Sequence, residues 1–198
     1  VVCGASAATT RQEPYRYDEA GLPFVTLADV EVTRCGACGD VSALIRRVPE
    51  LHRALALAIA QKPTKLLPAE LRHLRKWMDW STAECAGYMG VTRETVSRWE
   101  SGAIPIGDTA DRLVRGLVAL KAAAPVPLDV FRDVTGPATP QRLTAHFTEA
   151  AGWRTELAPA PDRAVARPKA GRPRAATSRG ARGKHTEAKS ARGSRVSR

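Results

Sequence analysis

From Thr82 to Ser101 the chain reads TAECAGYMGVTRETVSRWES, with apolar residues at Cys85, Met89, Val91, Val96 and Trp99. That spacing buries one face of each of two short helices. Ser81 stands three residues before Glu84, the pattern in which a hydroxyl and a carboxylate satisfy each other's free backbone N–H groups at a helix start. Thr92 supplies a second cap. Gly90 falls between the two helices, where the turn calls for positive φ, and Ala86 is small where the helices cross. Upstream, Pro68 suits the first turn of a helix carrying an apolar stripe of Leu71, Leu74, Trp77 and Met78. Downstream, Asp108 begins a helix with Leu113, Val114, Leu117 and Leu120 on its expected buried face. Residues 65–123 are thus expected to form a five-helix domain.

The N-terminal pattern differs. Tyr15–Tyr17, Phe24–Leu27 and Val30–Thr33 are rich in β-branched and aromatic residues, and Gly21 and Pro23 mark a turn between them. Three short strands are expected within residues 1–40. Val41–Arg47 reads as a turn or two of helix, followed by a helix through about Ala60 with Pro49 in its first turn, so residues 41–64 form a helical linker. Leu128–Leu157 reads as a helical extension over residues 124–157, with Thr139-Pro140 as a start and Ala151-Gly152 as a stop. From residue 158 to 198 the chain is Ala, Pro, Gly, Ser, Arg and Lys. That composition cannot bury enough apolar surface to offset ordering and reads as a disordered basic tail. The expected fold class is mainly α, with a small β zinc-ribbon-like N-terminal domain, a five-helix helix-turn-helix domain and the tail.

Charge sharpens this division. The chain carries +11, but Pro161–Arg198 alone holds 12 basic and 2 acidic residues, so the rest of the chain is nearly neutral. A basic tail implies an anionic partner and steep salt dependence on nucleic acid. No apolar run approaches the roughly 20 residues a membrane span needs. The start VVCGASAATT lacks a basic n-region and a long apolar h-region, so a cytoplasmic protein is expected; the leading Val reads as a translated alternative start codon, which points to a bacterial gene, and the protein is expected at the nucleoid when DNA-bound.

Two sets of residues carry candidate chemistry. On the second short helix, Arg93, Glu94, Thr95, Ser97 and Arg98 face outward, with Thr92 and Thr82 at the two helix starts. Arg pairs with guanine O6 and N7, Ser and Thr reach bases or phosphates, and Glu accepts from cytosine N4. The cysteines form the other set. Cys35-Gly36-Ala37-Cys38-Gly39 is a zinc-knuckle sequence, and Cys3 is a natural third ligand. A second knuckle would put the fourth ligand at position 6, where Ser6 stands. The site is then a three-cysteine zinc site completed by water or another donor, such as His52, or it has lost its metal. His73 reads as an exposed polar residue. In the tail, Ala170-Gly171-Arg172-Pro173-Arg174 resembles an AT-hook, whose arginines lie in the narrow minor groove; the alternative is a nonspecific basic tail.

The run VTRETVSRWESG resembles the recognition-helix pattern of the XRE/Cro-type helix-turn-helix family, which implies that Arg93, Glu94, Ser97 and Arg98 read the operator. That family often contacts phosphate through a Gln at the start of the first helix; here the position is Thr82. Over residues 1–123, Cys3, the Cys35–Cys38 knuckle with Gly39, the EVTRC strand and LRKWMDWSTAECAGYMGVTRETVSRWESG together resemble the MqsA-type (YgiT-type) antitoxins. The resemblance implies a ribbon that holds structural zinc and binds a protein toxin, and a DNA-binding half that forms a homodimer and represses its own operon at a palindrome. An enzyme is the least supported class: no H-E-x-x-H, phosphate loop or nucleophile–histidine arrangement can be assembled, and His52, His73, His146 and His185 are scattered. The expected function is therefore a DNA-binding repressor, with toxin neutralisation as the alternative.

Overall fold

The computed structural model describes Cys3, residues 8–132, Val134 and residues 137–159. Five strands and six α-helices follow in the order β1 (Ala8–Arg16), β2 (Val25–Cys35), β3 (Val41–Leu44), α1 (Val48–Gln61), α2 (Pro68–Trp77), α3 (Thr82–Met89), α4 (Arg93–Ser101), α5 (Asp108–Lys121), α6 (Leu128–Arg132), β4 (Gln141–Thr148) and β5 (Gly152–Pro159). This overturns the expectation of a mainly helical chain with a small β domain and a five-helix domain: the strands form one five-stranded mixed sheet.

The difference arises in two segments. Val41–Leu44, expected as helix, pairs antiparallel with Glu31–Arg34 of β2. Residues 124–157, expected as a helical extension, contain the β4–β5 hairpin, and β4 joins β2 in parallel, Val25–Ala28 against Leu143–His146. Within β4, Leu143 and Ala145 are buried while Thr144 and His146 are half-buried, a period of two rather than 3.6. Local start and stop residues suited a helix. The pairing partner more than a hundred residues away decided otherwise.

β2 is the axis of the sheet. β1 covers one of its edges from Ala8 to Arg16, so β3 and β4 share the other edge, β3 near the C-terminal end and β4 near the N-terminal end. Opposite Pro14 the ladder slips: Glu13 faces Val30 and Tyr15 faces Leu27, leaving Ala28 and Asp29 against one residue. Asp29 adopts φ 53°, as a bulge residue. The extra residue keeps Val25 and Leu27 on the same buried face as Val30 and Val32, whose spacing is otherwise out of phase by one. Pro14, which has no N–H to give a ladder, sits at the irregularity.

One buried apolar cluster runs from this face through α1 into the helices. α1 packs against β4 and β5 on one side and against α2 and α5 on the other. Leu51, Leu55 and Ile59, one face of α1, are all buried. The C-terminal carbonyls of α1 meet a charged group in the interior. Arg115 is fully buried; its Nη1 donates to the Ile59, Ala60 and Lys62 carbonyls at 3.5, 3.2 and 2.6 Å, and its Nη2 to the Thr64 carbonyl at 2.7 Å. Nε pairs with Asp111 at 2.5 Å, and the other Asp111 oxygen accepts the Leu66 N–H at 2.8 Å. This explains a correction on α5. Its inward face is Asp111, Val114, Arg115 and Val118, while Leu113 and Leu120 of the expected stripe are exposed.

No helix among the described residues is long and apolar enough to cross a membrane. Arg115→Met is expected to lower stability by about 3–5 kcal/mol in urea unfolding, because it strands the buried Asp111 carboxylate. Arg115→Met with Asp111→Leu should recover only the part due to the stranded carboxylate, because the Ala60, Lys62 and Thr64 carbonyls and the Leu66 N–H lose their partners in it as well. A loss below about 1 kcal/mol for the single variant would show that the pair does not hold α1 and α5 together.

Candidate functional site

The helix-turn-helix is built by local chemistry. Ser81 Oγ accepts the Glu84 N–H at 3.1 Å and Glu84 Oε2 accepts the Ser81 N–H at 2.8 Å, so α3 begins with a closed capping box. α3 ends at Gly90 with φ 64°, and the Val91 N–H closes the turn on the Ala86 carbonyl at 3.0 Å. Thr92 Oγ1 then accepts the Thr95 N–H at 3.2 Å to start α4. Cys85, Ala86, Val96 and Trp99 are buried between the helices and the core.

This leaves one face of α4 outward. Arg93, Glu94, Ser97 and Arg98 are exposed and, with Thr82 at the start of α3, line a shallow cleft. Of the seven residues expected there, these five come together. Thr95 is half-buried, and Thr92 is engaged as the cap. Arg93 lies 3.8 Å from Glu94 with both side chains about two-thirds exposed, a screened contact of little energy. The Arg98 guanidinium has no partner among the described residues.

Residues that the sequence reading missed hold α4 in place. Glu100 is buried and takes Arg75 on both oxygens, Nε at 2.5 Å and Nη2 at 3.1 Å. Arg75 Nη1 also reaches the Trp80 carbonyl at 2.8 Å, and Arg72 Nη2 reaches the Glu100 carbonyl at 2.8 Å. α2, the turn after it and α4 are thereby cross-tied by charge-assisted bonds. The available signal was a Glu directly after the buried Trp99, with two arginines three apart on α2.

The cysteines form a second centre. β2 ends at Cys35, and residues 36–38 turn back so that the Cys35 N–H donates to the Asp40 carbonyl and the Gly39 N–H to the Cys35 carbonyl, both at 2.9 Å. Gly39 has φ 73°. The Cys3 and Cys35 sulfurs lie 3.5 Å apart, and the sulfurs of Cys3, Cys35 and Cys38 all lie within 4.8 Å of one another. Backbone N–H groups of Cys38 and Ala37, helped by the Cys38 and Cys3 side chains, bring the Cys35 thiol down to about 7. Three soft donors held this close can hold a metal ion.

Ser6, Arg172 and Arg174 lie outside the described residues. His52 is not at the cysteines. Its Nε2 is 2.9 Å from the Tyr17 hydroxyl and its ring stacks on His73 with centroids 5.6 Å apart. His73, expected exposed, is 5% exposed; its Nδ1 donates to the Ala20 carbonyl at 3.1 Å, and burial brings its pKa down to about 4. These contacts join the turn before β2 to α1 and α2. No protein-family model matches the chain, and no curated protein or solved structure matches it.

Proposed function

We propose that this chain is a sequence-specific DNA-binding repressor of the MqsA-type antitoxin class, acting on its own operon in the bacterial cytoplasm. The observation that carries the reading is the outward face of α4. The Arg98 guanidinium, without a partner among the described residues and with Ser97, Arg93 and Glu94 beside it, stands on a helix fixed at its start by Thr92 and near its end by Glu100. Pre-organisation of this kind reduces the ordering cost of binding. Arg98 pairs with a guanine edge in the major groove, Ser97 and Arg93 reach neighbouring base or phosphate oxygens, Glu94 accepts from cytosine, and Thr82 bonds to phosphate across the groove. The basic residues from 161 to 198, Arg172 and Arg174 among them, add phosphate contacts. A homodimer would place two α4 helices about 34 Å apart on a palindrome.

The metal in this reading is zinc. A tetrahedral site with Zn–S bonds of about 2.3 Å needs sulfurs about 3.8 Å apart, within the range that Cys3, Cys35 and Cys38 span. Zinc would join the first residues of the chain to the end of β2 and stabilise the sheet there, with its fourth position taken by a weaker oxygen donor. Metal analysis of the purified chain is expected to give about one zinc per chain, lost in Cys35→Ser; a metal-free wild-type chain would remove zinc from the account.

Arg98→Ala is expected to weaken operator binding about 5- to 100-fold in a gel-shift titration while leaving the fold and the nonspecific affinity intact. Unchanged operator affinity would take base reading away from α4.

A further inference from the structure

The shared edge of β2 contains a gap. β3 pairs as far as Leu44 opposite Glu31, and β4 pairs as far as His146 opposite Ala28. Asp29 and Val30 therefore face neither strand on that edge. The notch opens into a cavity of about 60 Å³. That is room for the head of one side chain and far short of a drug-sized ligand.

Its lining is mixed in a specific way. Val30 and Trp153 are buried, and Phe147 is half-buried with its ring centroid 5.2 Å from that of Trp153. Leu44, 53% exposed, adds an apolar wall. Asp29 and Glu31 bring two carboxylates, and neither has a hydrogen-bond or ion-pair partner among the described residues. Arg46 also lines the notch, but it and the nearby Arg47 are already engaged. Arg46 pairs with Glu149 at 2.7 Å, and its carbonyl accepts the Trp153 indole N–H at 2.7 Å. Arg47 is shared between Glu50 and Glu149 at 3.5 Å each and lies 5.6 Å from the Phe147 centroid. Among the described residues, the unpaired charge of the notch is thus negative.

We infer that this notch seats an arginine or lysine side chain of a protein partner, with Asp29 and Glu31 holding the cationic head and Phe147, Trp153 and Leu44 covering its carbon stem. A basic side chain has both parts, and aromatic walls add cation–π attraction. A bare metal ion fits poorly: hard cations take six or more oxygens, and beyond the two carboxylates much of the wall is carbon. The partner is accordingly a basic protein, which bears on the alternative of toxin binding. The inference stands independently of what α4 does.

The test uses the full chain without DNA and the peptide Gly-Gly-Arg-Gly-Gly, with its citrulline counterpart as a neutral control of nearly the same shape. The Trp153 indole N–H is followed by NMR and assigned with Trp153→Phe. A saturable shift of that signal is expected with the arginine peptide, at least about fivefold weaker in apparent affinity for Asp29→Asn/Glu31→Gln and for the citrulline peptide. Both substitutions suit the native backbone, since Asn tolerates positive φ and Glu31 is exposed. Absence of a saturable shift, equal affinity for citrulline, or unchanged affinity in the folded double variant would each overturn the inference.

Discussion

A guanidinium with no access to water holds the helical half of this protein in register. Arg115 comes from the middle of α5 and closes the end of α1, taking the Ile59 and Ala60 carbonyls and those of Lys62 and Thr64 just beyond, while Asp111 neutralises it and fixes Leu66 at the entry to α2. A helix end leaves carbonyls without partners, and in a buried setting each would be costly. An apolar residue at position 115 could fill the space but could not satisfy those oxygens. The next turn repeats the device. Lys62 and Glu70 pair at 2.5 Å in the interior, and the same Glu70 oxygen accepts the Leu67 N–H at 2.7 Å. The link between α1 and α2 is built from satisfied charge and is not a flexible hinge.

From α1 the constraint passes in two directions. Towards the sheet, α1 covers β4 and β5, and the β2 bulge at Asp29 keeps the apolar residues of β2 on the buried face despite their change of phase. The bulge also lies at the break between β3 and β4, so one irregular residue serves the core and opens the notch. Towards the other helices, α2 carries Arg72 and Arg75 to Glu100, and through it fixes α4. The exposed face of α4 is thus positioned by a chain of ion pairs starting well away from it.

What the sequence revealed depended on how local the cause was. The caps at Ser81, Glu84 and Thr92 and the turn at Gly90 act within a few residues, and each stands as expected. The Cys35–Cys38 knuckle was equally legible, and Cys3, which precedes β1 in the chain, joins it. The sheet was not. β4 owes its conformation to parallel pairing with a strand more than a hundred residues earlier, and Val41–Leu44 to an edge that β2 offers only once folded. Short apolar segments fit either period, so the tertiary partner decided. The same holds for Arg115 and His73. A charged or polar residue on a helix reads as exposed, and its burial became evident only with the carbonyls that it meets.

The proposed reading of DNA rests on three features: the exposed face of α4, the ion pairs that support it and the basic residues beyond 160. They differ in kind, because the first can distinguish sequences and the last cannot. The most direct measurement is binding of the purified chain to the DNA upstream of its own gene, beside an unrelated duplex, at two salt concentrations. The account predicts that preference for the upstream duplex persists at the higher salt, since base contacts survive screening that weakens phosphate contacts. Equal and salt-sensitive binding to both duplexes would contradict it, leaving the basic segment as the only DNA contact.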